Sequence, residues 1–323
     1  MRLPTPDDIA AARARIGAHV VRTPMRRSPV LDRAVGASVL IKPEPLQRTG
    51  SFKLRGATNA IRALDPAVAA RGIVTHSSGN HGQAVACAAA ALGVPALIAM
   101  PADAPAIKTE STRAWGAEIV TYDRVRDDRE ALARRLAAQR GMTLIPPFDH
   151  AEVIAGQGTL AAELIEDAAA AGLTLDRLLV CCGGGGLVAG CALAVEGGSP
   201  GTVVHPVEPA GWDDTARSLV AGERLGNDDP PASLCDALMA KRPGELTFAV
   251  NRSRLAPGLV VSEAEVLAAM AFAFRALKLV VEPGGAVALA ALLAGRAPQA
   301  GVIGVVLSGG NVDPAVFARA LAA

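Results

Sequence analysis

Lysine is scarce in this chain: Lys42, Lys53, Lys108, Lys241 and Lys278 are all of them, against a background rich in arginine. Arginine serves for surface charge but keeps its proton, whereas a desolvated lysine can lose it and attack a carbonyl. Aromatic residues make up 3%, which argues against the stacking platforms that bind single-stranded nucleic acid. The net charge is +1, so charge gives no reason to expect a nucleic-acid or membrane-surface partner. Cys87, Cys181, Cys182, Cys191 and Cys235 are odd in number and form no C-x-x-C pair. They read as buried free thiols rather than a disulfide framework or a zinc site. Long apolar runs are missing as well. The alanine-rich stretch from Gln83 to Met100 is broken by Gly93 and Pro95, and it falls short of the ~20 apolar residues of a spanning helix. The first residues, Met1 to Asp8, are polar and lack an apolar signal core, so a cytoplasmic location is the expectation.

What is present is ample core: 51% of 323 residues are hydrophobic, enough for two domains or one large one. Short apolar runs alternate with helical patterns of about a dozen residues. Strands are expected at Ser38–Lys42, Ile73–Thr75, Pro95–Met100, Glu118–Tyr122, Met142–Ile145, Arg177–Cys182, Thr202–Val207 and Gly301–Leu307. Between them lie helices at Lys53–Leu64, Gln83–Leu92, Ala106–Trp115, Asp127–Gln139, Ile154–Ala171 and from the glycines after Cys182 to Val195. Further helices are expected at Pro6–Ala18, where Thr5 and Asp8 can form a capping box, from Ser262 to near Lys278, and at Ala286–Leu293. This alternation is the signature of an α/β fold with parallel βαβ units. Asp213 to Pro257 is the least periodic part and reads as loops and short helices over the core.

Three loops fall where a strand gives way to a helix, the usual place for ligands in an open α/β sheet. Gly183-Gly-Gly-Gly186 offers backbone N–H groups with no Cβ in the way and a helix dipole behind them, a phosphate cradle. It is neither a P-loop, since no Gly-Lys-Ser/Thr follows, nor a dinucleotide fingerprint, since the acidic residue is absent. Ser77-Ser-Gly-Asn-His-Gly82 brings hydroxyls, an amide and an imidazole, and suits a carboxylate or a ring hydroxyl. Ser308-Gly-Gly-Asn311 ends the last strand. For each loop the competing reading is an ordinary turn or cap. Lys53, set between Gly50-Ser-Phe52 and Gly56-Ala57, suits a partly buried amine. A nucleophilic amine with a phosphate cradle points to a phosphorylated aldehyde, and pyridoxal phosphate fits.

Ser51-Phe-Lys-Leu-Arg-Gly-Ala57, Ser77-Ser-Gly-Asn-His-Gly-Gln83, Gly183-Gly-Gly-Gly-Leu187 and Ser308-Gly-Gly-Asn311 together resemble the fold-type II pyridoxal-phosphate enzymes, in the branch of threonine/serine dehydratases and serine racemases. Val153-Ile-Ala-Gly-Gln-Gly-Thr159 is also typical of that branch. The resemblance implies a two-domain, tryptophan synthase β-like fold: a large cofactor-binding domain of residues 1–65 and 150–323 and a small substrate-side domain of residues 66–149. It makes Lys53 the Schiff-base lysine and α-proton base. Phe52 would pack near the ring, Asn80 would bond the ring hydroxyl, Gly183, Gly184, Gly185, Gly186 and Leu187 would hold the phosphate, and Ser308 would face the ring nitrogen. Glu282 would stand on the cofactor side. Ser77, Ser78, Asn80 and His81 would hold the substrate carboxylate, with Arg129 near the substrate and Ser78 on its opposite face.

Glu208, Asp214 and a main-chain oxygen of Trp212 would bind magnesium or calcium, as hard oxygen ligands do, a solvated acidic loop being the alternative. The implied activity is loss of water from a β-hydroxy amino acid of the L-threonine or L-serine type, giving a 2-oxo acid and ammonia. Amino-acid racemisation, dehydration of 3-hydroxyaspartate and a catalytically silent binding protein are the other readings. Pro147-Phe-Asp149 stands where serine racemases carry an asparagine, which favours the dehydratase. The chain ends soon after Asn311, so no C-terminal regulatory domain is expected. The resemblance also implies a homodimer acting on a small amino acid.

Overall fold

The computed structural model describes residues 2–77, 79–104, 106–123 and 126–322. In chain order it begins with helices α1 (Pro6–Ile16) and α2 (Pro29–Val35), then strand β1 (Ser38–Pro43), α3 (Lys53–Arg62) and the short α4 (Pro66–Ala69). Next come β2 (Ile73–His76), α5 (Asn80–Ala91), β3 (Ala96–Pro101), α6 (Ala106–Ala114), β4 (Glu118–Tyr122), α7 (Arg129–Arg140) and β5 (Thr143–Leu144). The long α8 (Ala151–Ala170) leads to β6 (Arg177–Cys181), α9 (Gly186–Gly198), β7 (Val203–Pro209), α10 (Asp214–Ala221) and α11 (Glu245–Asn251). The chain closes with β8 (Leu259–Val261), α12 (Glu263–Phe272), α13 (Pro283–Leu293), β9 (Val302–Leu307) and α14 (Pro314–Ala322).

The strands form two sheets, one of five strands in the order β1-β9-β6-β7-β8 and one of four in the order β4-β3-β2-β5. Every pairing between these strands is parallel. The four-stranded sheet is drawn wholly from residues 73–144, while the five-stranded sheet combines β1 with strands after residue 176. Strands such as β3 and β9 are buried nearly end to end, as parallel strands covered on both faces must be. The largest apolar cluster surrounds the five-stranded sheet, with Val180, Leu187, Val287 and Val305 among its members. A second joins the inner face of α3 (Leu54, Ala57, Ile61) to α5 and to Ile73 and Ile98 of the smaller sheet. The helix that starts at Lys53 therefore packs against α5 on the side of the smaller sheet and against α8 and α1 on the other.

How α3 is seated follows from a glycine. A Cβ on Gly156 of α8 would lie 2.6 Å from the Arg55 carbonyl oxygen and 2.6 Å from the Gly56 Cα. Only glycine on α8 lets the two helices touch backbone to backbone. At the N-terminus, Asp8 accepts from the Thr5 N–H at 2.8 Å, so the expected cap is present.

Several boundaries differ from the periodicity. Helix α5 starts at Asn80, three residues before Gln83, so Asn80 and His81 sit in its first turn rather than in the preceding loop. Helix α13 starts at Pro283, because proline is favoured at the first position of a helix. After α12 a π-helical turn, Ala273–Leu277, runs into Lys278 at φ 58°. Helices α2 and α14 and strand β8 have no counterpart in the expected pattern; each is short and borrows its apolar face from the body it lies on.

Candidate active site

The carboxyl ends of β6 and β9, the first turns of α3, α5 and α9, and the segment before α8 enclose a cleft of about 600 Å³. Phe52, Lys53, Ser77, Asn80, His81, Arg129, the four glycines, Leu187, Glu282 and Ser308 all line it. Residues far apart in sequence thus meet in one place. Ser78 lies outside the described residues.

Lys53 begins α3. Its Nζ donates to the Pro147 carbonyl at 2.7 Å and stands 5.1 Å from the centre of the Phe52 ring. Burial lowers its pKa from 10.5 to about 8, with the neighbouring acidic groups Cys181 and Glu282 working partly the other way. A neutral amine is therefore accessible near neutral pH, as attack on a carbonyl requires. Phe52 is itself fixed at the floor, its N–H donating to the Ser308 carbonyl at 3.0 Å.

The glycine turn has its carbonyls tied back. Thr247 Oγ1 donates to the Gly184 carbonyl at 2.7 Å, and Asn251 Nδ2 to that of Gly185 at 3.3 Å, both from α11. In a trans peptide the N–H points opposite to the C=O, so the N–H groups of Gly185 and Gly186 face away from α11, toward the cleft. Helix α9 starts at Gly186 and adds its positive end. Gly185 has φ 90°, and a Cβ on Gly184 would lie 2.5 Å from atoms of the Phe148 ring. A side chain on Gly184 would have to displace that ring, whereas an anion can rest on the bare backbone. Asp149 secures the far wall by accepting from the N–H groups of Glu245, Leu246 and Thr247 at 3.0, 2.9 and 3.0 Å.

Opposite the glycines, Asn80 Nδ2 donates to Glu282 Oε1 at 2.6 Å, and Asn80 Oδ1 accepts from Asn311 Nδ2 at 2.8 Å. Asn311 also donates to the Thr49 carbonyl at 2.8 Å. This chain of amides ties α5, α13 and the loop after β9 together on one side of the cleft. Ser77 Oγ accepts from the Gly79 N–H at 3.2 Å. His81 Nε2 lies 3.1 Å from the Ile145 carbonyl. A carbonyl only accepts, so Nε2 carries the proton and the buried Nδ1, which has no partner among the described residues, is a bare acceptor. Burial, with Lys53 nearby, pushes the His81 pKa down to about 3; burial, with Arg129 nearby, pushes that of His76 down to about 4. Both imidazoles are thus neutral. Arg129 is exposed at the rim, at the start of α7.

Glu208, Asp214 and Trp212 are placed elsewhere and do not line the cleft. Glu208 accepts from the N–H groups of Thr215 and Ala216 at 3.0 and 2.7 Å, so it caps α10. Burial, then Asp214, raises its pKa to about 8. Asp214 is raised to about 6 by burial. Its Oδ1 accepts from Asn227 at 2.8 Å, while Oδ2 is buried with no partner among the described residues. The Trp212 indole donates to the Pro231 carbonyl at 2.8 Å. Among the described residues no group of three or more His, Cys, Asp or Glu side chains is arranged so that it could hold a metal ion.

Sequence reasoning missed the Pro147 acceptor, the Phe148 ring across the glycines, the α11 clamps Thr247 and Asn251, and the Cys181 thiol on the floor. Their only sequence signal was the apolar-polar triplet Pro147-Phe-Asp149; everything else is long-range contact.

A half-buried amine of lowered pKa in one cleft with a bare-backbone glycine turn suits a phosphorylated aldehyde, and the comparisons name one. The chain belongs to the family described as "Pyridoxal-phosphate dependent enzyme", whose model matches residues 16–309. It is 44% identical over 322 residues to an L-threo-3-hydroxyaspartate ammonia-lyase of Pseudomonas sp, covering 99% of each chain. It is 40% identical over 320 residues to a serine racemase of Schizosaccharomyces pombe, covering 99% of this chain and 98% of that one. Among solved structures, the maize serine racemase matches with a TM-score of 0.93 at 37% identity, covering 99% of this chain and 98% of its own. The protein is an enzyme that uses pyridoxal phosphate.

Proposed function

We propose that this enzyme is a lyase that removes water from a β-hydroxy amino acid of the L-threonine or L-serine type, releasing a 2-oxo acid and ammonia. The observation that carries the reading is Lys53: a half-buried amine with its pKa lowered to about 8, in one cleft with the glycine cradle and Ser308. Pyridoxal phosphate, when bound, supplies the link to the substrate amine and a sink for the electron pair left when a bond to the α-carbon breaks.

The chain's residues do the rest. The N–H groups from Gly183 to Leu187 hold the phosphate. Lys53, once its amine is free, takes the α-proton. The neutral Ser308 hydroxyl would stand on the ring-nitrogen side of the bound cofactor; it could not hold a proton there as a carboxylate would, a setting that would favour prompt loss of the β-hydroxyl. Ser77 and Ser78 by their hydroxyls, and Asn80 and His81 by their N–H groups in the first turn of α5, would hold the substrate carboxylate; the His81 ring, whose Nδ1 only accepts, would not. The product leaves as an enamine, which becomes the 2-oxo acid and ammonia by tautomerisation and hydrolysis. Residues 1–65 and 150–323 would form the cofactor body and residues 66–149 the substrate-side body. Magnesium or calcium, where bound, would take the Glu208–Asp214 pair and its unpartnered oxygen.

A second reading rests on Arg129. Its guanidinium at the cleft rim suits a substrate with a second carboxylate, 3-hydroxyaspartate, and the relative from Pseudomonas supports it. Racemisation would need a proton donor on the face opposite Lys53, where Ser78 is expected.

A substrate panel separates the readings. L-serine, L-threonine and the 3-hydroxyaspartate isomers are each assayed for 2-oxo acid, and L-serine also for D-serine. A lyase gives 2-oxo acid as its main product; D-serine as the main product, or no turnover of any of them, sinks the proposal.

A further inference from the structure

The floor of the cleft holds a thiol that the mechanism above does not use. Cys181 ends β6 and Ser308 follows β9; the two strands are neighbours, with Leu179 opposite Val305. Their side chains meet at the strand ends, Cys181 Sγ to Ser308 Oγ, at 3.1 Å. Both residues are almost fully buried, at 3% and 4% exposure, yet both line the cleft. A hydroxyl oxygen is the better acceptor and a thiol sulfur a poor one. The shared proton is therefore the thiol's, donated to Oγ, and the Ser308 O–H is left to point elsewhere.

From this contact we infer that Cys181 is a positioning residue: it fills the acceptor side of Ser308, so that the Ser308 hydroxyl is held as a donor toward the cofactor's ring nitrogen. The inference rests on the pyridoxal-phosphate assignment of the cleft and adds the direction of the proton. A hydroxyl free to rotate can either donate or accept. One already accepting from Cys181 has its own proton available for the lone pair of an unprotonated pyridine. Burial raises the thiol pKa to about 11, so the donor stays protonated through the neutral range. No electron transfer or covalent change at sulfur is involved.

The test measures cofactor binding to the apoprotein by calorimetry, with pyridoxal phosphate and with its 1-deaza analogue, in which C–H replaces the ring nitrogen. For Cys181→Ala the affinity for pyridoxal phosphate should fall by about three- to tenfold, the worth of one neutral hydrogen bond, while that for the deaza analogue stays put. Cys181→Ser, which restores a donor, should recover most of the loss. Ser308→Ala should show the same selective loss, and adding Cys181→Ala to it should cost nothing more. Should Cys181→Ala not fold, Cys181→Val against Cys181→Ser makes the same comparison. Equal loss for both ligands means the thiol only packs, and the inference fails; no loss for either sinks it too. A wild-type apoprotein that binds no pyridoxal phosphate would overturn the cofactor assignment along with it.

Discussion

Two cations sit within one turn of α3, one fully buried and one half-buried in the cleft, and they are built on opposite terms. Arg55, fully buried, has its guanidinium filled on both sides. Nε and Nη2 donate to Glu44 at 2.8 and 2.9 Å, and Nη1 and Nη2 to Glu163 at 2.8 and 2.9 Å. Lys42 donates to Glu163 at 2.6 Å and to the Thr23 carbonyl at 2.6 Å. Two cations thus face two anions, with no net charge. Burial works against the Arg55 charge, but Glu44 and Glu163 more than offset it and raise its pKa. Lys53, two residues away, donates instead to an uncharged carbonyl, and its pKa falls to about 8 through burial. The same helix thus holds one cation that cannot titrate in the neutral range and one that does. Paired burial fixes shape; unpaired burial makes a reactive group.

The sharpest break of this contrast is at Lys53. Lys53→Ala should lower 2-oxo acid release by about 10²–10⁴-fold or more, with little change in Tm. Lys53→Arg should restore the charge but not the activity, since a guanidinium keeps its proton. On the paired side the result should invert. Glu163→Gln leaves Arg55 and Lys42 with too little negative charge and should lower the unfolding free energy by about 3–5 kcal/mol in urea titrations. What activity remains should keep its substrate preference. A Glu163→Gln enzyme as stable as wild type would mean the pairing does not hold α3.

Most of the cleft was legible in the sequence because its ligand-facing groups stand in contiguous runs. The glycines, Ser77 with Asn80 and His81, and Ser308 to Asn311 each stand where a strand hands over to a helix, and parallel topology brings such places to one edge. The parallel α/β plan was legible for the same reason, from period and spacing. What was not legible depends on partners distant in sequence. The Pro147 carbonyl is 94 residues from Lys53, and Glu163 is 108 residues from Arg55. Nothing local marks Arg55 as buried; a charged residue on an α-helix reads as a solvated one until its partners are in place. Asn80 and His81 read as loop in the sequence because no apolar spacing begins before Ala84, although the helix gains its first turn from the contacts they make with Glu282, Asn311 and Ile145.

The comparison can be sharpened with pH. In the ligand-free protein the folded pKa of Lys53, about 8, lies below the unfolded value of 10.5. Between these values the unfolded chain binds a proton that the folded chain does not, so stability rises with pH across this window. Below pH 8 both forms are protonated and the penalty is present in full. Unfolding titrations should therefore show wild type gaining stability relative to Lys53→Met between pH 8 and 10, by at most about 1.4 kcal/mol per unit. His76 and His81, neutral when folded, act lower down: stability should fall as pH drops below 6.5, toward their folded values of about 4 and about 3. His81→Gln should flatten that acid slope.

The smallest effect should come from glycine, which both regions use for different ends. At the helix crossing, a Cβ on Gly156 meets backbone at 2.6 Å, which cannot move without shifting α3. In the cleft, a Cβ on Gly184 meets the Phe148 ring at 2.5 Å, and a ring can swing aside. Gly156→Ala should therefore cost stability, about 1–3 kcal/mol. Gly184→Ala should leave Tm nearly unchanged, because its strain is relieved toward open space. The added methyl and the displaced ring would then stand in the proposed phosphate site, and cofactor affinity should weaken by about tenfold, the equivalent of some 1.4 kcal/mol. Calorimetric titration of the apoprotein with pyridoxal phosphate reads the second effect and thermal unfolding the first. If Gly184→Ala lowers Tm as much as Gly156→Ala while binding the cofactor normally, the glycine turn serves packing and the two regions are not built differently after all.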